Sequence, residues 1–295
     1  MDNALFFVSG ITGNVGGAAA RHLLQEGHAV RALARDPQKA AKWAEQGVDV
    51  RRGDFNNAAA VADALDGVTG AFLMIPPVMV PAPGFPEAKA VIASFEEALR
   101  QSPPPRLILL SSMGSEQSSG LGNITTTHLM EEALGDLPFP TAFVRAGGFL
   151  ENYVGGLGAA AATGTYYSFF QPTERAFPMV ATEDIGKEVA RLLVGGWDGK
   201  KVVEIGSPVS ADDLARAMGE VLGQPVTAQA IPRERWAATL ETFGMAPGTT
   251  GLYEEMLDGF NSGWISFGVP GTEPVVGTTT AAQVFAQART ARGDA

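Results

Sequence analysis

A glycine triplet near the start of the chain constrains the fold more than any other feature. Gly10-Ile-Thr-Gly13-Asn-Val-Gly16 follows directly on the apolar run Leu5-Phe6-Phe7-Val8-Ser9 and opens a stretch, Val15 to Glu26, that reads as a helix. Strand, glycine turn and helix in that order form the context in which a dinucleotide pyrophosphate binds. Gly10 permits the tight turn, Gly13 lets a phosphate approach the backbone, and Gly16 lets the helix lie close on the strand. Thr12, Asn14 and Val15, with the three glycines, are therefore the candidate cradle. The N–H groups and positive dipole end of the helix face the phosphates there. An ordinary tight strand-to-helix turn is the structural alternative.

The alternation continues along the first half. Ala29–Ala34, Val48–Arg52, Gly70–Ile75, Leu107–Leu110 and Thr141–Arg145 read as strands. Gln38–Gln46, Ala58–Leu65, Glu87–Arg100 and Thr126–Leu134 read as helices between them. In Glu87–Arg100, Ala88, Val91, Ile92, Phe95 and Leu99 repeat at helical spacing. Short apolar strands joined by crossover helices predict an α/β fold, a doubly wound parallel sheet of Rossmann type. The proline-rich stretches Pro76–Pro86 and Pro103–Pro105 read as loops within this unit. The first follows a strand's carboxyl end, where open α/β sheets bind ligands; a rigid surface loop is its alternative.

The second half has a different texture. Asp184–Val194 reads as a helix and Lys201–Ile205 as a late strand. Ser210 is placed to cap a helix with Asp212 and Asp213 in its first turn, a stripe of Leu214, Met218 and Val221, and Gly223 at its end. Arg233–Phe243 and Leu252–Asn261 are further helical stretches. The expected division is a dinucleotide-binding unit over residues 1–153 plus about 179–206. A smaller, mostly helical C-terminal lobe then takes about 154–178 plus 207–295 and binds substrate.

Composition removes several function classes. Of 295 residues, none is cysteine, which excludes disulfides, thiolate nucleophiles and cysteine zinc sites; no metal site is expected. The formal net charge of -11, with basic residues scattered, argues against a nucleic-acid partner. No apolar run approaches the ~20 residues of a membrane span, and the first residues lack a basic export signal. The expectation is a cytoplasmic protein, monomer or homodimer, acting on a small molecule without a membrane.

Strand ends after the glycine loop supply further candidates. The second strand ends at Ala34, followed by Arg35 and Asp36. Arg35 can fork onto a 2′-phosphate, which favours NADP(H), whereas Asp36 turned inward would serve NAD. Gly53-Asp54-Phe55 follows the third strand. Asp54 can accept from an adenine amino group and Phe55 can border the ring; an Asx turn is the alternative for Asp54. Ile75-Pro76 and Ser111-Ser112-Met113 lie at the next two strand ends and should line the nicotinamide side.

Together these elements resemble the NmrA-like branch of the atypical short-chain dehydrogenases/reductases. The matching residues, over nearly the whole chain, are the glycine triplet, Arg35, Gly53-Asp54-Phe55, Ser111-Ser112 and His128-x-x-x-Glu132. They continue with Val144-Arg145-Ala146-Gly147-Gly148-Phe149-x-Glu151-Asn152, Thr182-Glu183-Asp184-Ile185, Phe260-Asn261-x-Gly263 and Gly277-Thr278-Thr279. Within the family the chain looks most similar to bacterial quinone reductases and triphenylmethane-dye reductases. The resemblance implies NADP(H) on the glycine loop, its nicotinamide near Ile75, His128 and Phe149. It also implies a substrate cleft between the lobes, bordered by Asn152, Tyr153 and the C-terminal helices; Met113, at its strand end, is a further candidate for substrate contact.

One departure matters. Where ordinary short-chain dehydrogenases carry a Tyr and, four residues on, a Lys, this chain has Ile124 and His128. Isoleucine gives no proton, and a general acid typically contributes about 10²–10⁴-fold. Two readings follow. A reductase would pass hydride to a small conjugated acceptor such as a quinone, an iminium or a dye, with His128 holding the ribose or acting as a weak acid beside Glu132. A redox sensor would bind NADP(H) without turnover and signal to a protein partner. For His128 the structural alternative is packing. His22 and His28 receive no role.

Overall fold

The structure, a computed structural model, describes residues 4–292. Residues 1–3 and 293–295, the outer ends of the two expected units, lie outside the described residues. The first half runs β1 (Leu5–Val8), α1 (Asn14–Gln25), β2 (Ala29–Ala34), α2 (Ala41–Ala44), β3 (Asp49–Arg52) and α3 (Ala58–Leu65). It continues with β4 (Gly70–Leu73), α4 (Pro86–Gln101), β5 (Leu107–Ser112), α5 (Thr125–Leu134) and β6 (Thr141–Ala146). The second half runs β7 (Gly148–Phe149), α6 (Leu157–Thr163), β8 (Thr165–Ser168), β9 (Phe177–Val180), α7 (Thr182–Gly195) and β10 (Lys200–Ile205). Then follow β11 (Ser207–Val209), α8 (Ala211–Leu222), β12 (Thr227–Ala230), α9 (Trp236–Thr242), α10 (Gly251–Ser262), β13 (Glu273–Val275) and α11 (Ala281–Arg292).

Eight strands form one sheet in the order β13-β10-β6-β5-β4-β1-β2-β3, all neighbours parallel. Adjacent residues of a central strand belong to opposite cores. Phe6, Ile108 and Val144 pack with α1 and α7, while Phe7, Leu109 and Phe143 pack with α3, α4 and α5. A strand buried on both faces needs no polar alternate position, so these strands read as unbroken apolar runs. The strand order reverses beside β1, which has β2 on one side and β4 on the other. That reversal opens a crevice at the carboxyl ends of the strands, and the glycine loop leaves β1 there.

Close packing explains the small residues. A Cβ at Gly16 would stand 2.3 Å from the Ser9 carbonyl oxygen and 2.4 Å from that of Gly10. One at Gly186 of α7 would stand 2.3 Å from the Ala18 Cβ of α1. The stretch 38–46, expected as one helix, is instead a 3₁₀ turn at Pro37–Ala40 followed by the single turn α2. Pro37 starts that turn, and Asp36 caps it by accepting the Gln38 N–H at 3.0 Å.

The lobe has its own apolar core, including Leu157, Tyr166, Phe170, Leu214, Met218, Trp236 and Phe285. Ser210 and Asp213 form the reciprocal cap of α8, and Gly223 ends that helix in the left-handed region. Two small sheets, β11-β9-β7 and β12-β8, are not announced by the sequence, and the first joins strands from both expected units. Strands of two to four residues carry too little periodicity to read. β13, from within 207–295, returns to the edge of the large sheet beside β10.

Three polar residues of the family-like sequence pattern prove to be staples. The buried Asp184 carboxylate accepts the N–H groups of Thr278 and Thr279, both at 2.8 Å, and both their hydroxyls. Asn261 accepts from Gln171 N–H at 2.8 Å and donates to the carbonyls of Phe169 and Leu257 at 3.0 and 2.9 Å. Glu151 accepts the Thr182 N–H at 2.9 Å and so caps α7 from outside it. No helix among the described residues is long and apolar enough to cross a membrane.

Candidate active site

A cleft of about 720 Å³ opens over the glycine loop. The structure brings Gly10, Thr12, Gly13, Asn14, Val15, Arg35, Phe55, Pro76 and Phe149 to its wall. Gly10 sits at φ +64°, in the region that favours glycine, and makes the turn by accepting the Gly13 N–H at 2.8 Å. Gly13 caps α1 without a side-chain hydrogen bond, and the first turn holds no acidic residue. The leading N–H groups of α1 therefore face the cleft as donors for an anion. A Cβ at Gly13 would come 3.3 Å from the Gly10 carbonyl oxygen, at the place where a phosphate must approach. The cradle fits a dinucleotide. Gly16 lies beneath it rather than on it, holding α1 against β1.

The far rim is cationic. Arg35 is exposed there, and Lys39 stands beside it on the 3₁₀ turn. Lys39 was not singled out from the sequence; its only signal is a second cation four residues after Arg35. Asp36 also borders the cleft, but its carboxylate is engaged in the cap described above. Asp54 does not reach the wall. Its Oδ1 accepts from the Asn56 N–H at 2.8 Å and side chain at 3.0 Å, the Asx turn that competed with adenine binding.

The cleft continues into a chamber of about 340 Å³ that shares Met74, Pro76, Pro77 and Phe149 with it. Ile75 and Ser111, expected on this side, line the chamber. So do Val78, Met79 and Pro81 of the proline-rich loop, Asn123, Ile124, Thr126 and Thr127 before and within α5, and Tyr253 of α10. Ser111 donates to the Glu131 carboxylate at 2.5 Å, and Glu131 holds Arg145 at 2.9 and 2.6 Å. Burial pushes the Arg145 guanidinium pKa down, but the hydrogen bonds and charge of Glu131 outweigh it and hold Arg145 above its ordinary value. The chamber floor is thus braced by a buried ion pair.

Several sequence-derived candidates lie elsewhere. His128 borders neither cavity; its Nδ1 donates to the Ser115 carbonyl at 2.9 Å, while its neighbour Thr127 faces the chamber. Glu132 does not bond it among the described residues, but lies with Lys89 and Glu96 on an outer groove. Met113 is 1% exposed and packs with Leu121, Ile124 and Ile265, because the strand turns it away from the chamber. Asn152 is exposed and borders neither cavity. Tyr153 packs into the lobe core near Phe170, where burial, then the charge of Tyr166, pushes its phenol well above its ordinary value.

Residues 10–149 match the NAD(P)H-binding family. Over 261 residues the chain is 25% identical to quinone oxidoreductase 2 of Escherichia coli strain K12, covering 87% of this chain and 88% of that protein. The fold superposes on the triphenylmethane reductase of Citrobacter sp. complexed with NADP(H), with a TM-score of 0.78 at 21% identity, covering 97% of this chain and 99% of that one. It also matches NmrA, a negative transcriptional regulator solved in complex with NAD, with a TM-score of 0.72 at 17% identity, covering 98% of this chain and 91% of that one. At these identities the likeness to the two solved structures is one of fold. The NAD(P)H-binding match spans the residues from the glycine loop to Phe149, which the cleft and chamber share.

Proposed function

We propose that this protein is an NADPH-dependent oxidoreductase that passes hydride to a small conjugated or aromatic acceptor, with a quinone as the leading case. The observation that carries the reading is the shared wall of the two cavities. A dinucleotide cradle adjoins a mostly apolar chamber, and Met74, Pro76, Pro77 and Phe149 belong to the walls of both. The relatives that act on quinones and triphenylmethane dyes support the same class of acceptor.

The bound nicotinamide would supply the hydride. The chain's own residues do the rest. The N–H groups at the start of α1 hold the pyrophosphate. Arg35, with Lys39 beside it, takes the 2′-phosphate, and Asp36 leaves the ribose free because its carboxylate is engaged with the Gln38 N–H. Ile75, Pro76 and Phe149 flank the ring and exclude water from the transfer. Among the described residues the one ionised group on the chamber wall is Glu87, which favours neutral or cationic acceptors.

The test is a titration of NADPH and NADH into purified protein, followed by absorbance of the reduced nicotinamide as quinones and cationic dyes are added. The expected result is tighter binding of NADPH and oxidation that depends on the acceptor. Tight binding with no oxidation by any acceptor would transfer the assignment to the sensor reading. Binding of neither cofactor would end both.

A further inference from the structure

The chamber wall carries hydroxyls from Ser111, Ser112, Thr126, Thr127 and Tyr253. Four of these donate to fixed oxygen acceptors. Ser111 donates to Glu131 at 2.5 Å, Ser112 to the Met113 carbonyl at 3.3 Å, Thr126 to the Asn123 carbonyl at 3.1 Å, and Thr127 to the Ile124 carbonyl at 2.8 Å. Tyr253 differs. Its recorded acceptor is the Met79 sulfur at 3.6 Å, and a thioether is a weak acceptor. Beside it the Asn123 side chain hydrogen-bonds the phenol, while its buried Oδ1 meets no hydrogen-bond donor among the described residues. An unpaired buried carboxamide oxygen costs free energy unless a ligand or water answers it. A phenol O–H with only a thioether for an acceptor and a carboxamide oxygen without a donor therefore stand together on the chamber wall.

We propose that Tyr253 donates a hydrogen bond to the oxygen of a carbonyl-type acceptor, with Asn123 orienting the phenol, and that this pair makes the chamber selective for quinones. The proposal rests on the reductase reading above. Hydride brings two electrons to the acceptor, whose ring is reduced as the cofactor is oxidised, and negative charge gathers on the acceptor oxygen. The Tyr253 O–H points at that oxygen and stabilises it. The proton that completes the hydroquinone comes from water.

The surroundings suit a donor. Burial pushes the Tyr253 phenol above its ordinary value, and the hydrogen bond with the Asn123 side chain only partly opposes this. The group stays protonated through neutral pH. Glu87 is the other titratable residue on the wall, and both its carboxylate oxygens lie 3.3 Å from the Ala82 N–H, holding the loop. Ile124, on the same wall, has no proton to give. Tyr253 comes from α10, so the second half of the chain completes the site.

Tyr253→Phe keeps the ring and removes the donor. With a naphthoquinone, kcat should fall about 10²-fold, the usual effect of losing one donor to a developing oxyanion. Reduction of a cationic triphenylmethane dye, which takes hydride at carbon, should stay within about threefold. NADPH affinity should not change. Without turnover, the protein loaded with NADP⁺ should bind 4-nitrophenolate about tenfold more weakly as Tyr253→Phe than as wild type. If Tyr253→Phe disturbs folding, seen as lost NADPH binding, Asn123→Leu takes its place, with the same split between quinone and dye expected at about tenfold. A variant that reduces quinones at the wild-type rate, or loses quinone and dye activity equally, overturns the proposal alone. A wild type that binds NADPH yet oxidises it with no acceptor overturns the reductase reading and this proposal together.

Discussion

The phosphate end of the cleft and the acceptor chamber share a wall but are built in opposite ways. At the phosphate end, one stretch of the chain, Gly10 to Gly16, supplies the turn, the donors and the helix start. At the chamber, the wall is assembled from the ends of β4, β5 and β6, the proline-rich loop, the start of α5 and, from the lobe, α10. The first site is mostly backbone, and its tolerances are set by steric distances to carbonyl oxygens. The second is mostly side chains, and its chemistry depends on which hydroxyls the fold leaves without a partner. One added carbon should therefore destroy the first, whereas one lost hydroxyl should retune the second.

The strongest way to break that contrast is Gly16→Ala. Its Cβ would meet two backbone oxygens at 2.3 and 2.4 Å, which cannot rotate away. We expect a loss of about 3 kcal/mol or more in stability and loss of measurable NADPH binding, read by thermal unfolding and titration. The same change at Gly158 of α6, where nothing lies within 4 Å, should stabilise by about 0.5–1 kcal/mol. Equal effects at the two glycines would show that the cradle is not sterically set.

Next in size is Asp184→Ala. It strips four hydrogen bonds from Thr278 and Thr279 and leaves their N–H groups unanswered. A cost of about 3 kcal/mol is expected, with faster hydrogen exchange confined to the stretch that leads into α11. Exchange unchanged there would mean that the C-terminal segment is held by apolar packing instead.

Arg35→Ala sharpens the comparison at the cleft rim. A charge-assisted hydrogen bond is worth about 1.5–3 kcal/mol, so NADPH should bind about 10–100-fold more weakly, with NADH affected little. Equal weakening of both would place Arg35 on the adenine rather than on the 2′-phosphate.

The smallest effect concerns the lobe. The Ser210 N–H, then its hydroxyl, hold the Asp213 carboxyl below the usual carboxylate range; desolvation opposes them and Arg216 adds to them. A folded-state pKa below the unfolded one means the contribution is complete above about pH 4 and is lost as pH falls through the folded value. Asp213→Asn should therefore cost about 1 kcal/mol at neutral pH, and the gap from wild type should close in acid. A gap constant from pH 7 to pH 3 would show that the carboxylate charge is irrelevant to the cap.

How much of this was legible beforehand follows the same division. β2 and α3 are found where the sequence places them, Ala29–Ala34 and Ala58–Leu65, because each is bounded by its own local signals. The cap of α8 was legible for the same reason, Ser210 and Asp213 being three residues apart. Tyr253 and Asn123 were not, since nothing near either residue announces the other. Met113 was misplaced because its position after β5 gives its neighbourhood but not the face it turns to. His128 was drawn to the site by its place in the family pattern, yet its ring is engaged by the Ser115 carbonyl.

The sequence by itself determined the α/β class, the place of the glycine cradle and the cation at its rim. Those features rest on steric rules, periodicities and caps that act within a few residues. Only the tertiary structure decided that Asp184 pins Thr278 and Thr279, that Asp54 and Met113 turn away, and which hydroxyl in the chamber is left to meet a substrate. A hydrogen bond between distant segments depends on where the packed sheet and lobe bring their backbones, and no local pattern encodes that distance.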